Sequence, residues 1–205
     1  MKVSDTGGGG NFKILDAGSH AAVCTQIIGI GPQETPWGAK EKLKIRFEVP
    51  AERVEWEVDG EKHEGPMTIW ATYTASLSEK ANLRQDLESW RGRPFSPDEL
   101  KGFELDALLG KPVMLSVIHR AVEGKTYANI TSLSKIPKGM EIPKAEGDLI
   151  SFNPRNHTPE AYAALPEWLR DRVDAGLAAI KAGESAPAPV ADFQDDDIPF
   201  NQEAA

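Results

Sequence analysis

Residues 66–95 read PMTIWATYTASLSEKANLRQDLESWRGRPF, and the hydrophobic period changes halfway through. Over 66–75 the period is two. Met67, Ile69, Ala71 and Tyr73 fall on one face of a strand, and Thr68, Trp70, Thr72 and Thr74 fall on the other. From Leu83 the period is helical, with Leu83, Leu87 and Trp90 forming one stripe. A strand therefore runs into a helix at this point. Ser96-Pro97-Asp98-Glu99 follows with a cap, a first-turn Pro and an acid three residues on, which predicts a second short helical stretch ending near Gly110.

Strand-type patterns lie on both sides of that helical insertion. Upstream, 19–30 (SHAAVCTQIIGI) is β-rich and is broken by Gly29 and Gly31. In 40–49 (KEKLKIRFEV) Leu43, Ile45, Phe47 and Val49 point one way, and Lys40, Lys42, Lys44 and Arg46 point the other. Residues 53–58 alternate through Val54, Trp56 and Val58 into a hairpin signal at Asp59-Gly60. Downstream, 112–121 and 125–134 read as two strands joined through Glu123-Gly124. This order predicts a mainly β fold: a five-stranded Greek-key OB-type barrel with a helical insertion between strands three and four and a β-hairpin extension. An SH3-like barrel would lack the helical insertion, and a sandwich would need about seven strands.

The 205-residue chain is expected to divide into four parts: a disordered segment (1–11), the barrel (12–140), a connector with an amphipathic helix (141–182) and a disordered acidic tail (183–205). Thr158-Pro159 offers a cap and a first-turn Pro for the C-terminal helical region, and Pro166 restarts it. Leu169, Val173, Leu177 and Ile180 then form a stripe that needs a cover. The formal charge of -9 is uneven, because residues 182–205 hold six acids and no bases while 11–140 hold 17 bases and 18 acids. The acidic pI therefore does not argue against a local cationic surface.

The sequence carries little sign of catalysis. Gly124-Lys125-Thr126 imitates the end of a phosphate loop, but His119 occupies the place of its first glycine, and the segment joins two strands. His20, His63, His119 and His157 lie far apart, and the single Cys24 rules out an internal disulfide and any multi-cysteine zinc site. No cofactor or metal is expected. No apolar run is long enough for a membrane helix and no leader opens the chain, so a reducing cytoplasm is the expected compartment.

The positive signals point to a polyanion. Lys40, Lys42, Lys44 and Arg46 recur at alternate positions, about 7 Å apart along a strand, near the phosphate spacing of an extended single strand. The alternative reading is an edge strand protected by lysines. Trp70 stands among threonines, and Trp37 lies in a loop just before the cationic strand, so both are candidates for stacking on bases. Tyr73 and Tyr127 are further aromatic candidates, whereas the spacing of Trp56 and Trp90 favours packing. Arg120 and Lys125 are candidate backbone contacts. Arg91 and Arg93 either grip phosphates or neutralise a helix C-terminus.

Residues 193–200 read FQDDDIPF, and this segment resembles the acidic tip of bacterial single-stranded DNA-binding proteins. In that family the tip docks replication, repair and recombination proteins. The matching positions are Asp195, Asp196, Asp197, Ile198, Pro199 and Phe200. In that family the Phe ends the chain, whereas here Asn201-Gln202-Glu203-Ala204-Ala205 follow it. The body is similar to phage-encoded single-stranded DNA-binding proteins of the OB type, through DAGSHAAVC (16–24), SLSEKANLRQDLESWRGRPF (76–95) and LLGKPVMLSVIHRAVEGKTYANITSLSKIPKG (108–139). The resemblance implies sequence-tolerant binding of single-stranded DNA, no catalysis, and work in the cytoplasm of an infected or lysogenic bacterial host. The same residues would serve an RNA-binding module. A protein-only adaptor acting through its tail and a metal-dependent nuclease are the other readings, and either a monomer or a dimer fits.

Overall fold

A computed structural model describes residues 13–58 and 60–182. The N-terminal segment, Asp59 and the acidic tail, including Asp195–Phe200, lie outside the described residues. The fold is mainly β, a curled antiparallel sheet with a few helices, and it is compatible with the OB-like barrel expected from the strand order. The strands are β1 (Gly18–Gln33), β2 (Lys40–Val58), β3 (Glu61–Thr74), β4 (Pro112–Val122), β5 (Lys125–Ser134) and a short β6 (Ile150–Phe152). They lie in the order β3-β2-β1-β4-β5, and β6 pairs with β1 in parallel. β1 serves three neighbours: 18–23 pairs with β4, 23–33 with β2, and 26–28 with β6.

The alternation in β2 works as read. Leu43, Ile45, Phe47 and Val49 are buried, and their register partners on β3, namely Tyr73, Ala71, Ile69 and Met67, are buried beside them. One expectation is corrected here. Residues 40–49 and 53–58 belong to one strand, interrupted by a register shift between Val49 and Arg53. Pro50 lies inside that bulge, where its missing N–H costs no ladder hydrogen bond. The β4–β5 turn is Glu123-Gly124, both at positive φ (49° and 81°), so the segment imitating a phosphate loop is a hairpin.

Helix α1 (Asn82–Arg91) comes between β3 and β4, as expected, and buries Leu83, Leu87 and Trp90 against the sheet. Trp90 meets Phe47 edge-on at 5.8 Å, and its indole N–H donates to the Pro112 carbonyl at 2.7 Å. The Ser96/Glu99 capping box forms, with Ser96 N–H donating to Glu99 Oε2 (2.9 Å) and Glu99 N–H to Ser96 Oγ (3.3 Å). The turn it opens is a three-residue 3₁₀ turn, Glu99–Lys101.

The connector is more structured than its prolines suggested. Residues 150–152 add β6 to β1 and bring Phe152 into a second apolar cluster with Ile28 and Ile30 on the outer face of β1. Thr158 Oγ1 accepts from Ala161 N–H and caps the short α2 (Pro159–Ala163). Helix α3 (Glu167–Lys181) then lays its stripe on this second cluster, with Leu169 and Val173 fully buried. At about 1.5–3 kcal/mol for each buried aliphatic side chain, this seam anchors the helix firmly. Its closest approach is between backbones. A Cβ on Gly176 would stand 2.0 Å from the Ile30 carbonyl oxygen and 3.0 Å from Gly31 Cα, where Gly31 itself adopts φ +71°.

Candidate nucleic-acid interface

The outer face of β2 carries Lys40, Lys42, Lys44, Arg46 and then Glu48, because the apolar residues between them are committed to the core. The register sets Lys42 opposite Thr74, Lys44 opposite Thr72 and Arg46 opposite Trp70, so the cationic row and the polar face of β3 form one surface. The surface differs along its length.

At the open end the β1–β2 loop is held by reciprocal backbone hydrogen bonds between Thr35 and Gly38 (3.2 and 3.0 Å) and by Thr35 Oγ1 donating to the Gly38 carbonyl. This turn presents Trp37, 48% exposed, with the Lys40 ammonium 5.8 Å from its ring centroid. Lys42 is half-buried, and its ammonium donates to Thr74 Oγ1 at 2.7 Å.

In the middle, α3 crosses the row. Lys44 is only 4% exposed and sits 5.2 Å from the centre of the Trp168 ring. Burial, reinforced by the nearby Arg172 charge, lowers its ammonium to about 8. Trp70 is half-buried and meets Trp168 edge to face at 5.5 Å and 86°. Both residues lie on the outer face of the sheet, but neither offers the open face expected from the strand alone. At the far end Arg46 lies 3.6 Å from Glu48, burial lowers its guanidinium, and Glu48 offsets part of that shift. The Glu48 carboxylate is buried because the connector passes over it, with the Glu146 and Gly147 N–H groups donating to Oε2.

Several candidates stand elsewhere. Tyr73 is corrected to the core: it is 3% exposed, and its hydroxyl donates to Asp86 Oδ2 at 2.8 Å, so no ring face is open to a base. Arg91 is also corrected. Its guanidinium is wedged over Phe95 (4.3 Å) and Phe103 (5.0 Å) and is ion-paired with Glu99. Arg93 is exposed and pairs with the same carboxylate at 2.8 Å. Arg93 first, then the Ser96 N–H and Arg91, hold Glu99 far below the usual carboxylate range. Arg120 and Lys125 are exposed on the β4–β5 hairpin, where Tyr127, half-buried, is the register partner of Arg120. This group is separated from the β2–β3 face by β1 in the sheet order.

Two tryptophans read as packing residues diverge. Trp90 is buried, whereas Trp56 is 47% exposed, stacked on His63 at 5.9 Å where the β2–β3 hairpin outruns its neighbours. Cys24 is buried, which pushes its thiol up to about 12 and leaves it unreactive. Among the described residues no three His, Cys, Asp or Glu side chains gather as metal ligands, and no helix is long and apolar enough to cross a membrane. The residues missed by the sequence reading are Trp168, Arg172 and Glu48. Trp168 neighbours the apolar stripe of α3, a signal that it lies near a seam but not near which strand. The chain matches no protein-family model and no curated protein.

A row of ammonium groups beside indole rings can hold a polyanion that carries flat rings. The cations meet its charges, and each ring stacks for about 1–3 kcal/mol.

Proposed function

We propose that this chain binds and protects single-stranded DNA without strong sequence preference, in phage replication, recombination or repair. It does so as an OB-type barrel with no catalytic role. The observation that carries the reading is the open end of the β2–β3 face, where Trp37 stands beside Lys40 and Lys42 on one surface. OB barrels bind oligonucleotides on their second and third strands and on the loops after strands one and four. Trp37 occupies the first of those loops, and Arg120, Lys125 and Tyr127 flank the second. The strand order, with α1 between β3 and β4, supports the same reading. The acidic tail docks replication or recombination proteins through Asp195–Phe200, competes with DNA for the cationic face, or does both. The chain works in the cytoplasm of the bacterial host.

Fluorescence anisotropy of labelled oligo-dT, a matched duplex and oligo-U, each titrated with the full chain at two salt concentrations, tests this. Tight, salt-sensitive binding of oligo-dT with weak binding of the duplex is expected. Equal affinity for oligo-U would turn the reading to RNA, and no binding of any strand at low salt would end it.

A further inference from the structure

The region from 158 to 181 looks like an appendage in the sequence, yet it brings an aromatic ring and a cation to the middle of the β2 row. We infer that helix α3 is a fixed wall of the nucleic-acid face, with Trp168 a stacking residue and Arg172 a phosphate contact. This inference rests on the function proposed above.

Three observations carry it. First, the fold gathers like charges that are remote in sequence. Lys44 is almost fully buried, and Arg172 presses on it from α3, while Lys42 and Arg46 flank it on β2. Among the described residues no acid is ion-paired with Lys44, and the nearest carboxylate on the row, Glu48, is engaged by Arg46 and the connector. Burying one cation beside another opposes folding. A methionine at 44 would fill the same space without that cost, so the buried Lys44 ammonium is explained by an anion that relieves it.

Second, Trp168 is half-buried and lies between Lys44 and Trp70, so the aromatic surface continues from Trp37 past the point where the cationic row becomes covered. A strand leaving Trp37 along the row meets Trp168 and Trp70 next, with Arg172 at the side. Third, α3 is not built to swing away. Leu169 and Val173 are fully buried, the Arg172 carbonyl accepts from Gln33 Nε2 at 3.0 Å, and Gly176 rests on the Ile30–Gly31 backbone. Lifting the helix would expose the entire second cluster, so its position over the row is permanent.

The test compares oligo-dT affinity of the full-length wild type, Arg172→Gln, Trp168→Phe and Gly176→Val, with thermal unfolding of each as a check on the fold. Arg172→Gln keeps the helix and is expected to weaken binding several-fold and to flatten the log–log salt slope by about 0.7, the share of one phosphate contact on a single strand. Trp168→Phe is expected to weaken binding a few-fold and to reduce the quenching of tryptophan emission by oligo-dT. Gly176→Val sets a side chain against the Ile30 carbonyl on β1 and displaces α3 without removing a cation or a ring of the row. It is expected to weaken binding more than Arg172→Gln. Tighter binding by Gly176→Val would make α3 a lid and overturn the inference. Wild-type affinity in both folded Arg172→Gln and folded Trp168→Phe would overturn it as well. Failure of the wild type to bind oligo-dT would instead overturn the underlying function, and the wall with it.

Discussion

Glu48 Oε2 accepts a hydrogen bond from the backbone N–H of Gly147 at 3.2 Å, which ties the connector across the outer face of β2. The carboxylate also takes the Glu146 N–H at 3.0 Å and lies 3.6 Å from Arg46, so one buried acid ends the cationic row and fastens the chain leading to β6 and α3. Glu48→Ala strands two backbone donors and a guanidinium together. A loss of about 2–4 kcal/mol is expected in urea unfolding, and an unchanged midpoint would show the clamp to be incidental.

Salt dependence reads the open end of the row. Lys40→Ala with Lys42→Ala should flatten the log–log salt slope of oligo-dT binding by about 1.4, at ~0.7 counterions for each lost phosphate contact. An unchanged slope would leave these lysines as guards of a strand against aggregation.

Lys44 predicts a pH dependence of stability. The groups around it are Trp168 and Arg172 on α3, Thr72 on β3, Ile28 on β1, and Lys42 and Arg46 along β2. Its ammonium is lowered from 10.5 to about 8 in the folded chain. Between those values the unfolded chain holds a proton that the folded chain has released, so stability rises with pH across that window. The gain is on the order of 3 kcal/mol when complete, and the penalty is present in full below the folded value. Denaturation at a series of pH values should show this rise, and Lys44→Met should abolish it and be the more stable protein near neutrality. A wild-type profile that matches Lys44→Met would contradict the buried ammonium.

Tyr73→Phe separates packing from binding. It removes the hydroxyl that donates to Asp86, whose carboxyl is already raised by burial. A stability loss of about 1–3 kcal/mol with oligo-dT affinity unchanged is the expected result. Weakened affinity in a fully folded variant would return Tyr73 to the interface.

The tail makes separate demands on charge and on shape. Ending the chain after Gly183 removes six acids and should tighten oligo-dT binding at low salt, with the gain shrinking as salt screens the competition. Phe200→Ala keeps every charge, so it should leave DNA affinity unchanged and abolish binding to a protein that reads Ile198-Pro199-Phe200. No gain on truncation at any salt concentration would exclude self-competition.

What the sequence made legible was local. The alternation of β2, the stripe of α1, the Glu123-Gly124 turn and the Thr158 cap are each determined by residues within a few positions of one another. What it hid depends on distant packing. The stripe of α3 demanded a cover but did not say that Ile28, Ile30 and Phe152 supply it. Lys44 looked exposed because alternation sorts residues by face, and nothing nearby in sequence tells that Trp168 lies over that face. Trp56 looked like core for the same reason: the alternation continues after the neighbouring strands have stopped.

The Gly31–Gly176 joint has a consequence for how the protein tolerates change. Position 31 resists side chains because of its backbone conformation, and position 176 resists them because a carbonyl oxygen occupies the space. Neither contributes apolar area, yet both constrain the chain as severely as a fully buried leucine. A family of descendants would be free to vary the rings and charges on the outer face of β2 while these two positions stayed fixed, so the most invariant marks of that face would fall on residues that have no side chain at all.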